Sequence, residues 1–308
     1  MLESNKDIRL MLNILIQNLN TFFVNESSLK KLKLSKQITK YKMSEDKDIK
    51  IVRNYEIIEM DFKSLLAYKQ FKEQAVKDIG MIIEKCQDFT NLIIQNISLE
   101  NVNLIEFILQ KCKHITSLCL GLYDTKLGPE RARNIDINLE NCQNVACLYL
   151  NLADNKLGPE GAKSIGMSLE ALQNITSLTI NLQNNDLRDE GINKFGLSLE
   201  KCQSISYLNI NLQSNLIGHE GIINFGMSLL RCLKINSLTL NFDRNGLTQE
   251  NIINFGAIVQ KFQNLKYFNL FCRFTNQSFP LSPLYYYTFF NHIFKTKRLV
   301  IFKTKIDI

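Results

Sequence analysis

The chain has 308 residues, 45% of them hydrophobic, and a formal charge of +7 at pH 7. Its 37 Lys and Arg exceed its 30 Asp and Glu only mildly, and both signs are interleaved within residues 121–269, which argues against a nucleic-acid-binding face. The amino terminus lacks the basic start and apolar core of a secretion signal, and we expect no membrane span.

Residues 1–54 do not follow the pattern of the rest of the chain and are predicted to form a helical or linker segment. Leu10 and Ile14 have the spacing of a short amphipathic helix. The stretch from Lys30 to Lys36 interleaves lysines with leucines. It indicates a solvated linker or, alternatively, a segment that contacts an acidic partner or a membrane surface.

Residues 55–270 are predicted to form a repeat domain whose first part, residues 55–114, is an atypical cap plus one short unit. The segment 55–62 has the pattern of a first strand, and the step from Leu92 to Leu118 is 26 residues. Terminal repeats are usually atypical, because one of their faces must meet water.

From residue 115 onwards a strict 30-residue period organises the chain. One apolar position recurs without a slip, at Leu118, Leu148, Leu178, Leu208, Leu238 and Phe268. The residues around Leu178 and Ile180 alternate apolar and polar, as in a strand with one buried face. Ile192 and Phe195 then begin an apolar stripe of helical spacing. We predict stacked strand–helix units whose strands lie parallel and side by side.

The repeated pattern resembles that of leucine-rich repeat proteins of the ribonuclease-inhibitor type. The residues that carry the resemblance are Leu148, Leu150, Asn155, Leu157, Gly158, Glu160 and Gly161, with their equivalents 30 residues on. The resemblance implies an α/β solenoid, a curved horseshoe with a parallel β-sheet on the concave face and helices on the convex face. Two extra residues between strand and asparagine distinguish these units from the commonest family pattern.

Three polar or small positions recur and are predicted to serve the fold. An asparagine, replaced by Thr125 in the first unit, can satisfy loop backbone groups that have no strand partner. An acidic residue opens each helix, where the helix dipole favours it; this explains the acids in register more simply than a metal site. A glycine inside four of the helices, replaced by Asp136 in the first unit, indicates close packing against the sheet or the next helix. These positions are Asn155, Asn185, Asn215 and Asn245; Glu130, Glu160, Glu190, Glu220 and Glu250; and Gly166, Gly196, Gly226 and Gly256.

The eight cysteines show no metal-binding spacing. Five share one repeat position, where Leu172 and Phe262 stand in two units, so we predict buried, structural thiols there. These are Cys86, Cys112, Cys142, Cys202 and Cys232. The reducing cytoplasm is the expected compartment.

The outward strand positions are the candidate partner-binding residues. They are Tyr123, Tyr149, Asn151, Thr179, Asn181, Gln183, Asn209, Asn211, Gln213, Asn241 and Asp243. One interpretation is a hydrogen-bonding surface for a protein or peptide, with the two tyrosines as anchors. The other is a solvated face whose asparagine column pairs along the sheet.

Residues 271–308 lose the period and are predicted to be a carboxy-terminal cap or tail. The aromatic run from Phe279 to Phe290 and the basic residues after it indicate a hydrophobic cap over the last repeat. A segment that meets a membrane surface or a partner is the alternative.

The sequence contains no nucleotide-binding or kinase motif and no arrangement of residues that indicates a catalytic site. We therefore expect no enzyme, cofactor or metal, but a monomeric interaction module that binds a protein partner. One alternative is a GTPase activator of the Ran type, although Arg131 and Arg133 fall on a predicted helix rather than on a strand-end loop. A fixed subunit of a larger, cytoskeletal assembly is the other.

Overall fold

The structure is a computed structural model that describes residues 57–61, 90–95, 105, 108–272 and 301–305. The predictions for residues 1–54, for Cys86 and for the aromatic run 279–290 lie outside these residues. Among the described helices, none combines the length and the apolarity that a bilayer crossing requires.

The described strands form one parallel sheet in which they follow each other in chain order. Seven consecutive strands make up its body: β2 (Asn91–Gln95), β3 (Ser117–Gly121), β4 (Cys147–Asn151), β5 (Ser177–Asn181), β6 (Tyr207–Asn211), β7 (Ser237–Asn241) and β8 (Tyr267–Phe271). β1 (Ile57–Asp61) and β9 (Ile301–Lys305) extend the sheet at its two ends. The predicted parallel arrangement is thereby confirmed, and a strand also lies in the carboxy-terminal stretch, where the sequence shows no period.

Each crossover between β3 and β8 contains one helix. The helices are α1 (Gly128–Leu139), α2 (Gly158–Glu170), α3 (Arg188–Leu199), α4 (His219–Leu229) and α5 (Gln249–Val259). Their first turns contain the predicted acidic residues, for example Glu160 in α2, where Pro159 also occupies the first turn. Pro is tolerated there because its missing N–H would have no partner inside the helix.

The register between neighbouring strands follows the repeat without a shift. Leu178 pairs with Leu208, and Asn181 pairs with Asn211. The short amino-terminal unit obeys the same rule, because Leu92 pairs with Leu118. A slip of one residue would turn every buried leucine of a strand to the opposite face of the sheet, so burial enforces this register.

One continuous core lies between the sheet and the helices. Leu178 and Ile180 of β5 are buried together with Ile192 and Phe195 of α3, which confirms the alternation and the helical stripe read from the sequence. Phe195 and Phe225 of neighbouring units stack with ring centroids 6.5 Å apart, and Phe242 meets Phe225 and Phe255 edge-on at 6.4 and 5.9 Å. Each unit therefore completes its core only against its neighbours.

The recurring asparagines Asn155, Asn185, Asn215 and Asn245 form a buried row that we call the asparagine ladder. In Asn185, Oδ1 accepts hydrogen bonds from the backbone N–H groups of Asn155 at 3.0 Å and Leu157 at 3.3 Å. Its Nδ2 donates to the carbonyl oxygens of Leu152 at 2.8 Å and Leu182 at 3.0 Å. Each ladder residue thus satisfies loop groups of its own unit and of the preceding one, as predicted.

Thr125 completes the ladder in the first unit. Its hydroxyl donates to the carbonyl of Leu122 at 3.1 Å, the bond that an asparagine amide makes in the later units. Its backbone N–H donates to Oδ1 of Asn155 at 3.0 Å.

The helix glycines allow neighbouring helices to approach closely. Of the two contacts that the sequence left open, with the sheet or with the next helix, the structure shows the second. A Cβ atom on Gly166 would lie 2.7 Å from Cβ of Ser198 on α3, and one on Gly226 would lie 2.8 Å from the ring of Phe255 on α5. Both distances are below van der Waals contact. The glycines therefore lower the helix propensity, but they allow the helices to pack closely against each other.

We expect Asn185→Asp to lower the free energy of unfolding by about 3 kcal/mol or more, because the buried carboxylate cannot donate to the loop carbonyls. Urea denaturation followed by circular dichroism measures the effect. Asn224→Asp, at an exposed position of α4, is the control and should change stability by less than about 0.5 kcal/mol. Equal stability of both variants would show that the asparagine ladder does not stabilise the fold.

We expect Gly166→Ala to destabilise the protein by about 1 to 3 kcal/mol, because overcrowding against Ser198 outweighs the better helix propensity of alanine. In a double-mutant cycle, Ser198→Gly should recover part of this loss. A gain in stability for Gly166→Ala alone would contradict the close helix packing.

Candidate partner-binding face

The side of the sheet that points away from the core is defined here as the outward face. In β5, the outward residues Thr179 and Asn181 are partly exposed, whereas Leu178 and Ile180 between them are buried. Each of the strands β3 to β8 places three residues on this face, and none of them is charged. The face offers amides, hydroxyls and aromatic rings to a ligand.

Nearly all predicted contact residues lie on this face. Tyr123 is 60% exposed and Tyr149 is 43% exposed. Asn151, Thr179, Asn181, Gln183, Asn209, Asn211, Gln213 and Asn241 are partly exposed.

Asp243 does not fit the predicted set of exposed contact residues, because only 5% of its surface is exposed. Asp243 occupies the repeat position that Ala153, Gln183 and Gln213 hold in earlier units. Ala153 is also buried, whereas the longer side chains of Gln183 and Gln213 are partly exposed. The chain leaves the sheet at this position, so a short side chain is covered. Asp243 therefore does not belong to the candidate contact set.

The asparagines that end the strands have a structural role on the outward face. Oδ1 of Asn181 accepts a hydrogen bond from the backbone N–H of Gln183 at 3.1 Å. Asn151, Asn211 and Asn241 make the same bond two residues on, at 3.2, 3.1 and 2.9 Å. This side-chain turn explains why asparagine, a poor strand former, occupies the last position of each of these strands.

The side-chain amide nitrogens of these strand-ending asparagines differ in whether they have a hydrogen-bond acceptor. Nδ2 of Asn211 donates to Oε1 of Gln183 at 3.3 Å, so pairing along the sheet occurs at this point. For Asn151, Asn181 and Asn241, the part of the chain that the structure describes supplies no acceptor to Nδ2. The column therefore presents free N–H donors, and each of its oxygens already accepts one backbone N–H.

A depression of about 320 Å³ lies at the amino-terminal end of the outward face. Its lining residues are Gln95, Cys119, Gly121, Tyr123, Tyr149 and Asn151. Gly121 takes the place of the column's asparagine, and a Cβ atom there would lie 3.3 Å from Cα of Gln95. The missing side chain leaves space between the two tyrosines.

Two further tyrosines of the outward face were not identified in the sequence. Tyr207 is 40% exposed and Tyr267 is 43% exposed, at the first positions of β6 and β8. Each directly precedes the recurring buried apolar residue of its strand, Leu208 or Phe268, so alternation could have assigned both to the outward face.

Charged residues concentrate at the helices instead. Lys194 of α3 pairs with Glu160 of α2 and, at 2.8 Å, with Glu190 of its own helix. The hydrogen bond and charge of Lys194 lower the pKa of Glu160. Arg131 and Arg133 lie on α1, as expected from the sequence. The described residues contain no group of three side chains that could hold a metal ion.

The recurring cysteines are buried, which confirms the structural interpretation for those that the structure describes. The thiol of Cys202 lies 3.5 Å from the carbonyl oxygen of Leu169, and that of Cys232 lies 3.3 Å from that of Leu199. Burial raises the pKa of Cys202 and Cys232 to about 12. These thiols are therefore protonated at neutral pH and unreactive.

Comparisons with known proteins identify no relative. No model of a protein family matches the chain, and no curated protein is significantly similar to it. What the chain binds is therefore inferred from the chemistry of the outward face.

We expect iodoacetamide at about pH 8 to modify Cys147, which is exposed at the first position of β4, and to spare Cys142, Cys202 and Cys232. The three buried thiols have pKa values raised to about 12, so the reactive thiolate forms only after unfolding. Peptide mass spectrometry with and without urea measures the modification. Native labelling of the buried three to the same extent would contradict this arrangement.

Proposed function

We propose that this protein is a non-catalytic leucine-rich repeat module that binds a protein partner through the outward face of its sheet, the concave face in proteins that it resembles. The observation that carries the proposal is the presence of four exposed tyrosines on a face whose positions on β3 to β8 carry no charge. The stacked parallel units support it, because such stacks present extended binding surfaces.

Tyrosine is the informative residue type on this face. A hydrophilic face that only meets water has no need of large aromatic rings, whereas binding surfaces are enriched in tyrosine. A tyrosine ring supplies a large contact area with few rotatable bonds, and its hydroxyl can hydrogen-bond to the partner. Tyr149 and Tyr123, which line the depression, are the proposed anchors.

The uncharged surroundings define the kind of partner. Because the outward positions of β3 to β8 carry no charge, binding there has to rely on ring contacts and neutral hydrogen bonds rather than on ion pairs. Such an interface should be insensitive to salt. It suits a scaffold that retains a partner rather than a surface that captures phosphate-bearing ligands.

We expect the double variant Tyr149→Ala/Asn181→Arg to lose the partner, because it removes an anchor and places an unpaired charge on the face. The measurement is affinity isolation of the tagged full chain from native cells, followed by mass spectrometry. Met167→Ala, a helix position 46% exposed, is the matched control and should retain the partner.

Both variants should show the circular dichroism of the natural chain, and the double variant should lose only about 1 kcal/mol of stability, because Asn181→Arg removes the acceptor for the N–H of Gln183. Retention of the same proteins by the double variant would exclude the outward face as the binding site. Failure to isolate any reproducible partner with the natural chain would count against the interaction module itself.

A further inference from the structure

The edge of the stack at which the strands begin departs from the repeat at one place. Leu233 occupies a position that is glutamine in the other 30-residue units, and Leu230 occupies one that is glutamate or glutamine. Phe262 of the next unit occupies the recurring cysteine position. We call Leu230, Leu233 and Phe262 the edge patch. The residues that correspond to Leu233 and Leu230 are Gln143, Gln173, Gln203 and Gln263, and Glu140, Glu170, Glu200 and Gln260.

The glutamines that Leu233 replaces contribute to the fold. Nε2 of Gln173 donates to the carbonyl oxygen of Glu170 at the helix end, at 2.7 Å, and Gln203 makes the same bond in its own unit. Leu233 cannot donate such a bond, and it gains little burial in exchange, because it is 60% exposed. The stability of the fold alone would favour glutamine here, so the leucine indicates a contact with another molecule.

A depression of about 110 Å³ lies at the edge patch, and all three patch residues line it. Hydrogen bonds fix the backbone around it. Nδ2 of Asn264 donates to the carbonyl oxygen of Leu233 at 2.8 Å, and the N–H of Phe262 donates to the carbonyl oxygen of Val259 at 3.2 Å. The depression is therefore formed before a ligand arrives, which reduces the entropy lost on binding. Its apolar lining suits one large apolar side chain.

The surroundings of the edge patch are basic. Segments 228–237 and 258–267, which contain the patch, hold four basic residues and no acidic one, whereas segments 138–147 and 168–177 of earlier units hold one acidic residue each and no basic one. The four basic residues, all exposed, are Arg231, Lys234, Lys261 and Lys266. Of these, only Arg231 forms an ion pair with another described residue, Glu200 at 3.5 Å. The charge therefore favours an acidic ligand.

Other ligand classes use only part of this arrangement. A nucleic acid would contact the basic residues through its phosphates and leave the apolar depression unfilled. A membrane surface would attract the lysines, but insertion into lipid needs projecting side chains, whereas Leu230 and Phe262 are only partly exposed and line a concave site. An acidic peptide with a large apolar side chain uses the charges and the depression together.

We propose that the edge patch is a second binding site of this protein, which takes an acidic peptide segment of a partner protein. One leucine or phenylalanine side chain of the segment occupies the depression beside Leu233 and Phe262. Carboxylates on either side of that residue pair with the surrounding cations, Lys261 among them. The site lies at the edge of the stack, so this inference goes beyond the outward face and the proposed function.

The test uses the full chain and a short fluorescein-labelled peptide in which Leu-Phe is flanked on both sides by Asp and Glu residues. One control peptide has Ser-Ser in place of Leu-Phe, and the other has Asn and Gln in place of Asp and Glu. We expect fluorescence anisotropy to show saturable binding of the first peptide and at least about tenfold weaker binding of each control. Raising the salt from about 50 to 500 mM should weaken binding at least about fivefold, because the cations are exposed.

A substitution that restores the repeat locates the apolar part of the site. Leu233→Gln should weaken binding of the acidic peptide at least about tenfold. Its urea midpoint should stay the same or rise, because the glutamine can donate to the helix-end carbonyl as Gln173 does. Leu197→Gln is the matched control, since Leu197 on α3 is 57% exposed, and it should change binding less than about twofold.

A charge reversal locates the basic part. Lys261→Glu should weaken binding of the acidic peptide at least about fivefold, because it replaces an attraction by a repulsion at the rim of the depression. Lys163→Glu, at an exposed position of α2, changes the net charge equally and should weaken binding less than about twofold.

Failure of the acidic peptide to bind, equal binding of the Ser-Ser control, or equal losses for Leu233→Gln and Leu197→Gln would overturn the proposal. Sedimentation with phosphatidylserine vesicles tests the membrane alternative. Vesicle binding that Leu233→Gln removes, without any peptide binding, would identify a membrane surface as the ligand instead. Tyr149→Ala should leave peptide binding unchanged, and a loss of about tenfold would move the site to the outward face. This inference and the proposed function can therefore fail separately.

Discussion

The asparagine ladder is the interaction on which the rest of the structure depends. Every strand-to-helix connection bends sharply and buries backbone groups that have no partner in a strand or helix. The side chain of Asn185 satisfies such groups in two consecutive units at once, because its oxygen receives N–H groups of the preceding unit and its nitrogen reaches carbonyls of both. The ladder therefore couples each unit to its neighbour and holds strands in register.

Two asparagines four residues apart have opposite environments in each unit. Asn185 is buried and its hydrogen-bonding groups are satisfied, whereas Asn181 is partly exposed with only its oxygen engaged. The second arrangement ends the strand and starts the bend. Because the same bond recurs in four strands, strand termination itself leaves a row of amide groups on the outward face. The hydrogen-bonding character of that face thus follows from the asparagine turns that end the strands.

The stack geometry is also consistent with the lack of charge at the outward positions of β3 to β8. Residues of one column lie about 4.8 Å apart on neighbouring strands, so a repeated charge would face its own kind at that distance. On the helices, different columns can carry opposite signs, as in the pair of Lys194 with Glu160. Neutrality alone is therefore weak evidence for binding. The tyrosines carry more weight, because stack geometry does not require them.

The sequence by itself determined the strand and helix of each unit, the parallel register, the buried cysteines and the role of Asn185. These follow from local periodicity and from its 30-residue recurrence, since stacked units must bury the same positions. The tertiary structure decided the burial of Asp243, the contact of Gly166 with α3 and the depression beside Gly121. Each of these depends on which atoms of the next unit lie alongside. It therefore follows from three-dimensional packing between residues that are distant in the chain.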